Sequence, residues 1–374
     1  MHKKKKEHKK RGIGWTILRI FLGAAGILVL VLVVYIGYLF ASYHRIEDNL
    51  ELEVEVEKPA EGNVDETLKT GTEYSALTYN IGFGAYTPDF SFFMDGGKSS
   101  WAKSKESVLE TVSGAGKLAA SYDPDFALIQ EVDLNSTRTY HEDEYKLLKE
   151  SFPEYDSVFA QNYDSAFLFY PFTQPHGRSR SGLALFSRYP VTSALRRSFP
   201  VSTSFTKFFD LDRCYSISRI PVENGKELVI FELHMSAYGN SDAIRESQIS
   251  MLCNDMEAEY GAGNYVLCGG DFNHDLKASE DDSTEHESWA YPFPREDLPE
   301  HFTFCLDLLS EEEKDDLWDS ARNADMEYVP GVTYTVTLDG FIISDNLECL
   351  SYENINSGYS CSDHDPVYLK FKLK

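Results

Sequence analysis

The stretch Tyr359-Ser360-Cys361-Ser362-Asp363-His364-Asp365-Pro366-Val367 sets a histidine between two acids and closes on a proline. An alternating run follows, Val367-Tyr368-Leu369-Lys370-Phe371-Lys372-Leu373, whose period of two predicts a terminal strand. The acid-His-acid cluster then lies on the loop that feeds that strand, a common place for chemistry on a rigid scaffold. By itself it fits a surface turn equally well. Its meaning comes from acids and amides that end strands elsewhere in the chain.

Four such strand ends stand upstream. Tyr74-Ser75-Ala76-Leu77-Thr78-Tyr79-Asn80-Ile81-Gly82 reads as a strand running into Asn80 and a glycine-rich loop. Phe126-Ala127-Leu128-Ile129-Gln130-Glu131 reads as a buried strand whose tail turns acidic at Glu131. Val229-Ile230-Phe231-Glu232-Leu233 delivers His234, and Asn224-Gly225 supplies a hairpin turn before it. Tyr265-Val266-Leu267-Cys268-Gly269-Gly270 delivers Asp271-Phe272-Asn273. Its glycines permit close backbone approach, and alternate residues of extended chain place Asp271 and Asn273 on one side. Thr333 to Ser344 reads as two short strands with Asp339 between them. Helical spacing falls on Ser104–Ser121, Glu142–Ser151, Asp242–Glu259 and Glu311–Asn323, and residues 275–303 read as an acidic surface insertion.

The chain has 374 residues and a formal net charge of −26, which repels nucleic acid at long range. Its start is the exception, with Lys3, Lys4, Lys5, Lys6, Lys9, Lys10 and Arg11. No charge then occurs from Ile20 to Phe40, and a helix there spans roughly 31 Å, the thickness of a bilayer core. A cleaved signal peptide is the rival, but its apolar region would be only about 7–15 residues. A retained anchor is therefore expected, with the basic tail cytoplasmic and the rest outside the cell membrane. This divides the chain into a tail (1–16), a transmembrane helix (17–42), a juxtamembrane linker (43–70) and one domain (71–374). Leu50-Glu51-Leu52-Glu53-Val54-Glu55-Val56-Glu57 alternates, and is open to reading as a strand or an extended stalk. The six cysteines form no C-x-x-C pair, so a zinc knuckle is not expected.

The ordered motifs Thr78-Tyr79-Asn80, Gln130-Glu131-Val132, Gly269-Gly270-Asp271-Phe272-Asn273, Leu338-Asp339-Gly340-Phe341-Ile342 and Ser362-Asp363-His364-Asp365-Pro366-Val367 are similar to those of the endonuclease/exonuclease/phosphatase superfamily, with its DNase I-like fold. The resemblance runs from about residue 74 to the end. It implies a four-layer α/β sandwich, two mixed sheets face to face with helices outside. It implies Mg²⁺- or Mn²⁺-dependent hydrolysis of a phosphoester, with hard oxygen ligands from Asn80, Glu131 and Asp363. It further implies His364 as general base, Asp339 fixing its tautomer, Asp271 orienting the water, and Asn273 and His234 holding the phosphate. Arg178 and Arg180 are the nearest candidate phosphate-binding cations. One departure stands out: where many relatives carry asparagine two residues before His234, this chain has Glu232, whose charge is expected to face the site and disfavour polyanions.

The acidic domain and the membrane anchor favour an extracellular or membrane-proximal phosphoester over nucleic acid. A membrane-anchored external nuclease is the alternative, and an inactive binding protein on the same scaffold is the alternative of another class. The aromatic segments Phe90–Phe93 and Ala166–Tyr170 read as core first and lipid contact second.

Overall fold

The computed structural model describes residues 13–57, 66–201, 212–236, 242–278 and 290–374. It divides into two compact units, Met1–His44 and Arg45–Lys374. In the first, Ile13–Ser42 is one uninterrupted helix, long and apolar enough to cross a membrane.

The second unit is built on two seven-stranded sheets. In spatial order the first sheet runs Leu50–Leu52, Ser193–Ser198, Cys214–Pro221, Glu227–His234, Tyr265–Asp271, Asp339–Ser344 and Phe302–Phe304. The second runs Leu347–Asn354, Val367–Leu373, Glu73–Asn80, Phe126–Asp133, Arg180–Ser187, Asp156–Asp164 and Val54–Glu55. Each is antiparallel except at one pair. Glu227–His234 lies parallel to Tyr265–Asp271 in the first sheet, and Glu73–Asn80 parallel to Phe126–Asp133 in the second. A parallel pair needs a crossover, and a helix supplies each one: Asp242–Gly261 and Lys105–Ser121. Ser104 starts the latter by accepting a hydrogen bond from the Ser107 amide.

Strand alternation assigns the layers. Ala76, Phe126, Leu128 and Leu185 of the second sheet meet Ile230, Leu267 and Phe341 of the first in the central core. Their neighbours Leu77, Ala127, Ile129 and Phe186 face outward under Val108, Val112 and Ala115 of the Lys105–Ser121 helix. Phe231, Val266 and Cys268 likewise meet Ile249, Leu252 and Met256 of the other crossover. This is the four-layer sandwich, and burial on both faces explains why the central strands read as unbroken apolar runs. Val367–Leu373 keeps the clean alternation expected of it, with Val367, Leu369, Phe371 and Leu373 buried.

Three elements differ from the sequence reading. The stretch expected as linker contains two strands: Leu50 pairs with Arg196 in the first sheet and Val54 with Val158 in the second, so the compact unit begins at Arg45. The helix expected over Glu311–Asn323 stops at Asp316, because Leu317 turns extended and leads Ser320 under Asp339. The insertion is packed where it is described: Phe293 and Phe302 are buried, and Phe302–Phe304 forms the sheet edge. Residues 279–289 of it lie outside the described residues.

Gly270 marks the tightest point between the paired strands. Its φ is +146°, and a Cβ there would stand 2.0 Å from the Leu233 carbonyl oxygen. Gly270→Ala must push the parallel strands apart and should cost about 2–4 kcal/mol, read as a lowered midpoint with unchanged slope in urea unfolding.

Candidate active site

The two parallel pairs end side by side, and the antiparallel strands beside them begin there. Asp271 is level with His234 on one side and with Asp339 on the other. Asn80 ends its strand level with Gln130. Beyond Ile129 the strand bulges: two residues stand between the pairs Ile129–Ala184 and Val132–Gly182, where the partner has one. The second bulge residue is Glu131, at φ +57°, an unfavourable backbone for glutamate. Such strain is maintained where the surroundings enforce it, and here it accompanies the turn of Glu131 out of the regular ladder. Sequence periodicity gave no sign of the bulge.

His364, Asp339 and Asp271 form a buried group whose ligand atoms lie within 4.8 Å of one another. His364 Nδ1 stands 2.7 Å from Asp339 Oδ2. Ser320 donates its hydroxyl to the same oxygen at 2.7 Å and accepts from the Asp339 amide at 3.0 Å. Ser362 holds the loop, donating to the Asn80 carbonyl at 2.7 Å and accepting from the His364 amide. Burial alone would lower the His364 pKa. The charge and hydrogen bond of Asp339, with Asp271 and Asp363, outweigh it and raise the value well above the ordinary one. Burial, then the Asp339 carboxylate, raises Asp271. His364 Nε2 and Asp271 Oδ2 are 3.9 Å apart, too far to bond but close enough to share one water or phosphoryl oxygen.

Asp271 also accepts from Asn80 Nδ2 at 3.0 Å, which joins the ends of the two sheets. His234 Nε2 lies 3.4 Å from Asp271 Oδ2 and 3.9 Å from Glu131 Oε1. Burial, with Arg213 and His364 nearby, holds the His234 pKa well below its usual value, so the ring is neutral. Asn273 departs from the period-two expectation. The strand ends at Asp271, Asn273 takes φ +50°, and its amide nitrogen donates to the Asp271 carboxylate. Its side-chain Nδ2 donates to the Met235 carbonyl at 3.0 Å.

Glu131 and Asp363 are the remaining acids of the site, each acted on by the His364 charge. Burial raises both carboxyls, and Asp363 adds to the rise at Glu131. Two carboxylates that repel each other offer hard oxygen ligands of the kind a small divalent cation takes, while Asn80 Oδ1, the third ligand the resemblance implies, accepts from the Gly82 amide at 3.0 Å. The His364–Asp339 pair suits one less, because its hydrogen bond would have to break.

The cations differ from those expected. Arg178 is exposed and ion-paired to Asp164 at 2.6 Å, while Arg180 donates to Gln161 at 3.2 Å. Nearer the carboxylates stands Arg213, buried, whose charge acts on both Glu131 and His234. Arg138, paired to Asp133, also acts on Glu131, and Arg322 acts on Asp363. Arg213 immediately precedes a strand at the site end, the one sequence signal that could have marked it.

Glu232 does not bring charge into the site. It is fully buried between the sheets, two residues below His234. There it accepts from Gln130 Nε2 at 3.2 Å, and Gln130 accepts from Thr78 at 3.1 Å. Burial raises its pKa well above the ordinary value, so the neutral acid is favoured.

Two mixed sheets packed face to face with helices outside, and buried acids, amides and imidazoles at one shared edge, define an α/β sandwich of the DNase I-like class. Residues 77–307 match the Endonuclease/Exonuclease/phosphatase family model, and the chain belongs to that family. Its members are usually phosphoester hydrolases and typically depend on a divalent metal. Three solved structures share the fold. An endonuclease/exonuclease/phosphatase from Beutenbergia cavernae is 14% identical, with TM-score 0.52, covering 80% of this chain and 72% of that one. One from Bacteroides vulgatus is 14% identical, with TM-score 0.52, covering 81% and 100%. TDP2 of D. rerio, complexed with a single-strand DNA product, is 14% identical, with TM-score 0.53, covering 81% and 100%. No curated protein matches the chain significantly.

Glu232 titrates in a sense that can be measured. In the unfolded chain it ionises near the ordinary 4.5, while in the fold it stays neutral to higher pH. Its contribution to stability is therefore present below that value and lost as pH rises toward the folded pKa. Glu232→Gln should remove this loss: equal to wild type in urea unfolding at pH 4.5, and more stable at pH 8. Glu232→Leu, which strands the Gln130 amide, should lose about 1–3 kcal/mol relative to Glu232→Gln.

Proposed function

We propose that this protein hydrolyses a phosphoester, with water activated by the His364–Asp339 pair and a divalent cation, Mg²⁺ or Mn²⁺, held by Glu131, Asp363 and Asn80. The observation that carries the reading is the 2.7 Å contact of His364 Nδ1 with Asp339. In the neutral ring, the minor form of His364 at its raised pKa, Asp339 fixes the proton on Nδ1 and leaves Nε2, which faces Asp271, as the acceptor. A water between the two is oriented by the Asp271 carboxylate and gives its proton to His364. The imidazolium so formed is stabilised by Asp339 and Asp271, in line with its raised pKa. Glu131, Asp363 and Asn80 would hold the cation, which would supply neutralisation of the phosphoryl oxygens and of the leaving group. His234, neutral, and the buried Arg213 are placed to bind the phosphate, with Asn273 shaping the loop beneath it. Arg178 and Arg180 remain candidates for the outer part of a longer substrate.

The substrate we infer is an extracellular or membrane-proximal phosphodiester or phosphomonoester. The net charge of −26 weighs against nucleic acid, and the apolar Ile13–Ser42 helix weighs for a membrane setting. The basic tail orients the helix with its N-terminus in the cytoplasm and the Arg45–Lys374 unit outside.

The test is phosphorus NMR on the full chain mixed with short DNA, sphingomyelin vesicles and an inositol polyphosphate, with and without Mg²⁺. One Mg²⁺-dependent product is expected, from a component other than DNA, and it should vanish on chelation. His364→Ala and Asp271→Ala should each lose about a thousandfold in rate without unfolding the domain. Wild-type rates in either variant would remove the proposed roles. Product from DNA alone would make the protein a nuclease, and none from any component would favour a binding scaffold.

A further inference from the structure

The two sheets are joined differently along their two sides. On one side a single segment, Leu50–Glu55, pairs first with the first sheet and then with the second, so backbone passes from edge to edge. On the other side the first sheet ends in Phe302–Phe304 and the second in Leu347–Asn354. Phe302–Phe304 pairs with one neighbour, the Asp339–Ser344 strand, and so short an edge strand has few bonds to hold it. Each of these two edges carries a cysteine. Cys305 opens the turn Cys305–Leu308 that follows Phe304, and Cys349 lies in Leu347–Asn354. The turn and the strand pack on each other. The pairing of Leu347–Asn354 with Val367–Leu373 shifts between Cys349 and Ser351, and Leu350 is the extra residue. A strict period of two would put Cys349 and Tyr352 on opposite faces. The bulge lets both pack on the central core that contains Cys305. Cys305 is fully buried and Cys349 half-buried, and their thiols are hydrogen-bonded to each other.

That hydrogen bond distinguishes the two sulfurs. Burial, then the bond to Cys349, raises the Cys305 thiol well above its ordinary value. The same bond holds Cys349 below its ordinary value, against its partial burial. The more accessible sulfur is therefore the one that ionises, and the thiolate is the nucleophile in thiol chemistry. Burial raises Cys214, Cys253, Cys268 and Cys361 instead.

We propose that Cys305 and Cys349 form a disulfide that bolts the Phe302–Phe304 edge of the first sheet to the Leu347–Asn354 edge of the second. The oxidant is another disulfide, that of a small thiol such as glutathione or of a thiol–disulfide oxidoreductase. The Cys349 thiolate attacks one of its sulfurs and expels the other as a thiolate, which leaves a mixed disulfide on Cys349. Cys305 gives up its proton, its sulfur attacks Cys349 Sγ, and the second half of the oxidant leaves as a thiolate. The two cysteines are oxidised by two electrons, and those electrons and both thiol protons end on the two released thiols. The bolt stands behind the site. Phe304 pairs with Ile342 of the strand that begins at Asp339, and the Tyr352 hydroxyl reaches the Asp339 carbonyl at 3.5 Å. Such a bond persists in an oxidising compartment and opens in a reducing one.

The test counts thiols, not turnover. The full chain, purified in detergent and reduced, is exposed to oxidised glutathione at pH 8, then unfolded, alkylated and digested for mass spectrometry. Four of the six cysteines should take the alkyl group. One linked pair of tryptic peptides, lighter by two hydrogens, should contain Cys305 and Cys349, which cleavage at Lys314 and Arg322 separates. Cys305→Ser should strand glutathione on Cys349, whereas Cys349→Ser should leave Cys305 free of it. In the parent chain the bond should lower the equilibrium constant for unfolding in urea by roughly thirtyfold or more, and dithiothreitol should reverse the change. Six alkylated cysteines after oxidation, glutathione retained on Cys349 of the parent chain, or a linked pair made from other cysteines would overturn the proposal. So would a bond that leaves the unfolding unchanged.

Discussion

The apolar layer between the two sheets holds everything polar at the site. Ala76, Phe126, Leu128 and Leu185 face Ile230, Leu267 and Phe341 there, and the packing brings two separate sets of strand ends to one edge. No local preference would place Asn80 beside Asp271, because they are 191 residues apart in the chain. Close packing makes such an arrangement discrete: strands so packed do not slide by fractions of an ångström. Glu131 at φ +57° and Gly270 at φ +146° are both maintained by that rigidity, since neither backbone would persist in an isolated strand.

Burial also sets the electrostatics. The same low-dielectric surroundings raise Asp271, Glu131 and Asp363 and depress His234. His364 moves the other way because three carboxylates act on it, and the nearest, Asp339, also bonds it. His364 is thus held toward its protonated form. Arg138, Arg213 and Arg322 act locally against a large overall negative charge. An anionic group is therefore attracted only once it is inside, and a long polyanion meets repulsion before it arrives.

Beneath the site, Thr78, Gln130 and Glu232 replace apolar contact with one polar chain across the gap between the sheets. It costs less than a buried charge would, because the neutral acid is favoured. It lies at the end of the sheets that carries the chemistry, where local rules of burial give way to function.

The order of strands and crossovers, the apolar helix and the acids and histidines at strand ends were legible in the sequence. They depend on short-range pattern: periods of two and 3.6, glycine breaks, and a run without charge. Asn80, Glu131, Asp271, Asp339 and His364 could be named because each ends or begins a run of buried residues. Tertiary structure alone decided the rest. The Glu131 bulge is a mismatch between two strands and has no signature in either. Glu232 lies among Val229–Leu233 like any acid near a strand end, and only the facing sheet shows that it points into the core. Arg213 and Ser320 reach the site from segments without pattern, and Leu50–Glu55 becomes strand because two sheet edges lie waiting for it. Each of these depends on contacts between residues remote in the chain, and such contacts exist only once the sheets have packed.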